Sequence, residues 1–94
     1  MTQTVRHDKD RQTFFIEKDF TRAYLAYEQK SDTVLDFRST FVPEIFRGQG
    51  IAADLVKTGL EYAKQNHFTV IPTCSYVDVY IKRHQGAYGT LLAR

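Results

Sequence analysis

The residues most able to do chemistry fall in two short stretches. The first is Arg47-Gly48-Gln49-Gly50-Ile51-Ala52, an arginine and two glycines followed by small and apolar residues. The second begins Pro72-Thr73-Cys74-Ser75-Tyr76 and continues through Tyr80 to Lys82-Arg83-His84. Glycines one residue apart let a backbone turn sharply and approach a bound group closely. If a helix follows, its unpaired N–H groups and its dipole favour an anion there, phosphate above all. The plainer reading is a strand-to-helix turn in which the glycines supply backbone freedom only. Cys74 is the chain's single cysteine, so no internal disulfide can form. Beside an apolar strand, a lone cysteine packs as a small buried hydrophobe. Just before a helix, it also stands where the positive helix end favours a thiolate that could accept an acyl group. Lys82, Arg83 and His84 are either a solvated face at a helix C-terminus or contacts for phosphates. His7 and His67 have no nameable partner, and the three histidines show no Cys/His metal spacing.

The elements that must position these groups can be read from the patterning. Arg11–Lys18 puts Phe14 and Ile16 on one face of a strand and Phe15 on the other. Arg22–Gln29 alternates Ala23, Leu25 and Tyr27 against Tyr24 and Ala26. Asp32–Val42 places Val34, Asp36, Arg38 and Thr40 opposite Leu35, Phe37, Ser39 and Phe41. The short connections favour antiparallel neighbours, so this half is a meander. After Pro43 the period changes. Ala52, Leu55, Val56, Gly59, Leu60 and Ala63 make one face of an amphipathic helix that ends near Asn66. Phe68–Pro72 is a short strand, predicted to pair in parallel with the strand before the helix. Ser75–His84 has room for a further helix, on which Tyr76 and Tyr80 are i, i+4 neighbours and could form a core stripe. The tail Gly86–Arg94 has no clear period.

The 94 residues suit one domain over residues 1–94. With 43% hydrophobic and 14% aromatic residues the chain can pack a core, which argues against disorder. A formal net charge of +2 is too small for a nucleic-acid surface. The polar start lacks the apolar region of a signal peptide, and no apolar run approaches the roughly 18 residues of a membrane span. A soluble, cytoplasmic protein without nucleic-acid or membrane partners is expected.

Gly48 to Ala53 nearly fits the dinucleotide fingerprint G-x-G-x-x-G/A. That motif also needs an acid at the end of the next strand, and here the strand runs into Pro72-Thr73-Cys74-Ser75. A Walker loop would need Gly-Lys-Ser/Thr, which does not follow. Arg47, Gly50 and Ala52 instead form R-x-x-G-x-A, with Gly48 inserted. This resembles the pyrophosphate signature of the GNAT superfamily, the acetyl-CoA-dependent N-acetyltransferases. Pro72, Cys74 and Tyr76 narrow the likeness to its short GNAT-like members, over roughly Phe14 to His84.

The resemblance implies a reduced GNAT-like α/β fold in layers: a mostly antiparallel meander, then β-α-β, then a C-terminal helix. It implies acetyl-CoA as cofactor, with its pyrophosphate on the turn from Arg47 through Gly48, Gln49, Gly50 and Ile51 to Ala52. Phe41 and Val42 would line the pantetheine on one side, and Ile71, Pro72 and Cys74 on the other. Lys82 and Arg83 would reach cofactor phosphates. Tyr80 would be the general acid for the leaving thiolate, with Tyr76 the runner-up, since a phenol pKa of about 10 suits that donation. Cys74 would carry the acetyl group or pack against the thioester. Glu44 is placed by sequence as a candidate base. The acceptor would be a small-molecule or protein amine. The rival class is a truncated fold that binds acyl-CoA without turnover. Neither the acceptor nor the oligomeric state can be read from the residues.

Overall fold

A computed structural model describes residues 4–93; the ends of the domain expected over residues 1–94, namely 1–3 and 94, lie outside the described residues. Its strands are β1 (Arg6–Asp8), β2 (Thr13–Lys18), β3 (Thr21–Gln29), β4 (Val34–Phe41) and β5 (Thr69–Ile71). Its α-helices are α1 (Ile51–Gln65), α2 (Ser75–Arg83) and α3 (Gln85–Tyr88), with 3-10 turns at Glu44–Phe46 and Gly89–Leu91. The strands form one sheet in the order β1-β2-β3-β4-β5. Neighbours are antiparallel as far as β4, and β5 pairs with β4 in parallel, Leu35 facing Val70. The expected meander and β-α-β unit are both present.

The alternation along β2 and β3 does what its pattern dictates. Phe14, Ile16, Ala23, Leu25 and Tyr27 join the core, with Leu35 and Phe37 from β4. Helix α1 lays Leu55, Val56, Leu60 and Ala63 onto them, all fully buried. Burying a leucine fully is worth roughly 1.5–3 kcal/mol, so this stripe holds the helix far more firmly than propensity does. Gly59 permits the close approach: a Cβ there would stand 3.0 Å from both Leu25 and Phe37 side chains. Among the described residues no helix covers the opposite sheet face. There Phe15 is covered by cations, with the Arg22 guanidinium 4.0 Å and that of Arg6 5.2 Å from its ring centre.

Three expectations are corrected. First, β1 was not foreseen. It is a short polar edge strand, docked by His7, which stacks on Phe14 at 4.1 Å and lies 2.6 Å from the Tyr27 hydroxyl. Second, β4 does not alternate to its end. Tyr27 faces Phe37, but Ala26 faces Ser39, so Arg38 is an extra residue bulged out of the ladder. Beyond it the faces exchange: Thr40 pairs with Leu25 on the helix side, while Phe41 pairs with Tyr24 on the open side. Third, Tyr76 and Tyr80 are not the core stripe of α2. Val77 and Ile81 fill that role. The tail resolves into α3 and a 3-10 turn, and Leu92 then bridges Val70 in parallel.

Candidate functional site

The first stretch forms a turn with an unbonded backbone. Phe46 is buried and anchors the 3-10 turn, whose N–H bonds run from Phe46 to the Pro43 carbonyl and from Arg47 to that of Glu44. Gly48 (φ 81°) and Gly50 (φ 72°) then take left-handed conformations, and Gly50 caps α1 with no side chain to offer. A Cβ at either glycine would meet nothing within 4 Å, so backbone conformation rather than crowding selects glycine. The α1 ladder starts with Asp54 N–H donating to the Gly50 carbonyl at 3.0 Å. Among the described residues nothing accepts from the N–H groups of Gly48 to Ala53. These donors border a cavity of about 190 Å³ that Val42, Phe46, Arg47 and Tyr76 also line. Together with the positive end of a helix of 15 residues, this is an anion cradle. The Gln49 side chain does not take part, because its amide donates to the Ile45 carbonyl at 3.3 Å.

The second stretch meets the first where β4 and β5 part. Their ladder stops at Asp36 and Ile71, with one further bond from Cys74 N–H to the Phe37 carbonyl at 2.8 Å. Past that point β4 runs on to Phe41 with no strand beside it on this edge, while Pro72 carries the other chain away. Because the Arg38 bulge turns Thr40 inward, the Thr40 hydroxyl lies 3.4 Å from Cys74 Sγ. Cys74 is also the N-cap residue of α2 and is part-buried. Thr73 donates its hydroxyl to Asp36, which is 5% exposed and also paired with Arg38 at 3.2 Å. This clasp ties the turn before α2 to β4. An acid inside an apolar strand was its only trace in the sequence.

Tyr76, 41% exposed, lines the cavity at the glycine turn and also an adjoining cavity of about 320 Å³. Ala53 is common to both, and Val79, Tyr80, Arg83 and His84 complete the second. Burial first, then the nearby Tyr76, Asp54 and Glu61, raises the Tyr80 phenol pKa, so the group stays protonated. His84 stacks on the Tyr80 ring at 4.1 Å. Lys82 is placed elsewhere: it pairs with Asp78 at 3.0 Å and lines neither cavity. Glu44 lines neither as well. Phe41 is exposed at the end of β4 and packs on Tyr24 at 5.6 Å. A larger concavity of about 510 Å³ lies around Arg6–Asp10 and Phe15, at the far edge of the sheet. It is lined by the mixed charges of β1 and the turn after it and by Phe15 of β2, and none of the site residues expected from sequence lines it.

The family described as GCN5-related N-acetyl-transferase matches residues 13–91. Protein NATD1 of Mus musculus is 33% identical over 82 residues, which cover 85% of this chain and 74% of the relative. The chain belongs to the GCN5-related N-acetyltransferase family. Protein NATD1 of Homo sapiens is likewise 33% identical over 82 residues, 85% of this chain and 73% of that protein. The solution NMR structure of a GCN5-like protein from Staphylococcus aureus has the same fold, with a TM-score of 0.75 at 20% identity over 97% of this chain and 88% of that one. Among the described residues of this N-acetyltransferase domain, no helix is long and apolar enough to cross a membrane. Nor do they contain a group of three or more His, Cys, Asp or Glu able to hold a metal ion.

Proposed function

We propose that this N-acetyltransferase domain binds acetyl-CoA, the acetyl donor its family uses, and transfers the acetyl group to an amine. The observation that carries the reading is the glycine turn, where Gly48, Gly50, Ile51, Ala52 and Ala53, with unbonded amides, line a cavity at the N-terminus of α1. Phosphate oxygens suit those donors and Arg47. When bound, acetyl-CoA supplies an activated thioester. The backbone of Phe41 and Val42 would flank its pantetheine arm on one side, and Ile71 to Cys74 on the other. A backbone N–H near Phe41 and Val42 stabilises the oxyanion.

Cys74 attacks the acetyl carbonyl, so an S–acetyl bond to Cys74 forms as the bond to the CoA sulfur breaks. The proton Cys74 loses is the one CoA gains, relayed through a phenol. Tyr80 and Tyr76, the two phenols on α2, are the candidates for that relay, and the raised pKa of Tyr80 keeps its proton available. The amine then attacks acetyl-Cys74, giving the amide and restoring the thiol. Calorimetry with acetyl-CoA and with CoA tests the binding, and failure of both to bind sinks the reading. Intact mass after incubation with acetyl-CoA tests the covalent step. One added acetyl group is expected, and its persistence in Cys74→Ala removes the cysteine from the mechanism.

A second reading is an acyl-CoA-binding module without turnover. It is favoured by the lining of the two cavities, which among the described residues holds no carboxylate to take the proton of an incoming ammonium. Thiol release with a panel of amines separates the two.

A further inference from the structure

The scheme above gives no task to what surrounds the Cys74 sulfur. Strand β4 reaches this residue through backbone and side chains alike. Cys74 N–H donates to the Phe37 carbonyl at 2.8 Å, and Thr73, just before it, donates its hydroxyl to Asp36. On the helix side the Cys74 carbonyl accepts from Asp78 N–H at 3.1 Å. The backbone is thus held before and after the side chain, and the direction of the sulfur is the freedom that remains. Cys74 is the N-cap residue of α2, yet its side chain makes no capping bond. The sulfur turns to β4 instead, where the Thr40 hydroxyl lies 3.4 Å from Sγ. Among the described residues no other side chain bonds this sulfur, so neither a histidine nor a lysine shares its proton. Thr40 and Cys74 are both half-buried, which limits how far water can replace the contact.

A hydroxyl suits both states of that sulfur. It accepts from the S–H of a thiol, and after a rotation it donates to a thiolate, which has no proton to offer. The second bond is the stronger, because its acceptor is charged. We propose that Thr40 is a catalytic residue whose hydroxyl stabilises the Cys74 thiolate, first as nucleophile and later as leaving group. In the first half, the Cys74 sulfur bonds the acetyl carbon while the bond to the CoA sulfur breaks, and the proton passes to CoA as in the scheme above. In the second half, the amine nitrogen bonds the acetyl carbon, the bond to Cys74 breaks, and a proton of the amine returns to the sulfur. Thr40 gains and loses no proton in either half; it only turns its own. The proposal rests on the covalent reading of Cys74.

Cys74 is the chain's single cysteine, so an alkyl group seen by intact mass reports on it alone. The full chain is treated with iodoacetamide at pH 7, and in a separate arm with acetyl-CoA. Thr40→Val keeps the shape of the side chain and removes its hydroxyl. It is expected to slow both alkylation and acetylation of Cys74 roughly threefold or more, since the thiolate share falls faster than the nucleophilicity rises. Its melting temperature and its CoA affinity by calorimetry should match wild type. Thr40→Ser returns the hydroxyl and should restore most of both rates. If Thr40→Val does not fold, Thr40→Ala against Thr40→Ser makes the same comparison. Alkylation that is unchanged in Thr40→Val, or slowed as much in Thr40→Ser, overturns the proposal. If acetyl-Cys74 forms as fast in Thr40→Val as in wild type, the covalent reading stands and this inference falls. If wild type never gains an acetyl group while its alkylation depends on the hydroxyl, the contact with the thiolate stands. The covalent reading then falls, and the catalytic role of Thr40 with it.

Discussion

Gly50 performs two tasks in one residue. Its left-handed backbone turns the chain into α1, and its bare Cα leaves the first-turn amides open. A β-branched residue there is strained by its φ of 72° and covers the donors. Gly50→Val is expected to cost about 1–2 kcal/mol of stability, which thermal melts will read, yet to abolish CoA binding by calorimetry. Loss of the fold instead would mean that the turn serves structure first. Gly59 illustrates a different need. A methyl there meets Leu25 and Phe37, both fully buried, so neither can move aside. Gly59→Ala is expected to destabilise on the order of 1 kcal/mol by chemical denaturation, despite the helix propensity it gains.

Among the elements, β1 is a strand of only three residues at a sheet edge, paired with β2 alone. Its docking depends on a neutral imidazole. Burial, then Lys9, lowers the His7 pKa from its ordinary 6.5, and Asp8 opposes this only in part. Burial first, then Tyr62 and Asp8, pushes the Tyr27 phenol up to about 12, so Tyr27 donates and His7 accepts. Protonating His7 removes that acceptor and sets the charge against Lys9, within the ring cage of Phe14, Tyr27 and Tyr62. Because the folded pKa is below the unfolded one, the stabilisation is complete above about pH 6.5 and is lost as pH falls through the folded value. The melting temperature should therefore drop between pH 7.5 and 5, and His7→Phe should flatten that dependence. An unchanged slope in the variant would show that His7 is not the titrating group. None of this was legible in the sequence, where Arg6-His7-Asp8 carries no apolar alternation. Helix α1 was legible nearly to its ends, expected from Ala52 to near Asn66 and found at Ile51–Gln65, because its stripe and its glycine entry agree. On α2 two i, i+4 pairs competed, and spacing alone cannot say whether the tyrosines or Val77 and Ile81 face inward.

On the scale of the whole molecule, one core runs from β2 to Leu91 on the helix side of the sheet, while the other side faces solvent behind paired charges. There Arg22 pairs with Glu17 at 3.0 Å, and Arg38 reaches Asp36 at 3.2 Å and Glu28 at 3.6 Å. Such pairs contribute little stability where exposed, but their alkyl stems shield the sheet face. The layered α/β arrangement was readable because strand alternation and helix period each point to a single core. The site was readable only in its parts. Residue types gave the glycine turn and Cys74, but the contact of Cys74 with Thr40 depends on where β4 and β5 part and on the bulge, which nothing about Arg38 as a residue type announces. That bulge lets β4 carry one residue more than β3 while the pairing resumes beyond it. With Arg38 deleted, Phe37, Ser39, Thr40 and Phe41 can keep Tyr27, Ala26, Leu25 and Tyr24 as partners, and Thr40 stays on the side of Cys74. A chain without Arg38 is thus expected to keep its core, its melting transition and its CoA affinity, measured by calorimetry. Loss of affinity would show that the bend at the bulge, and not the face that Thr40 takes, opens the site. In a lineage of such chains, the loss of that one codon would pass unseen by selection for binding, because every later residue of the strand keeps its side.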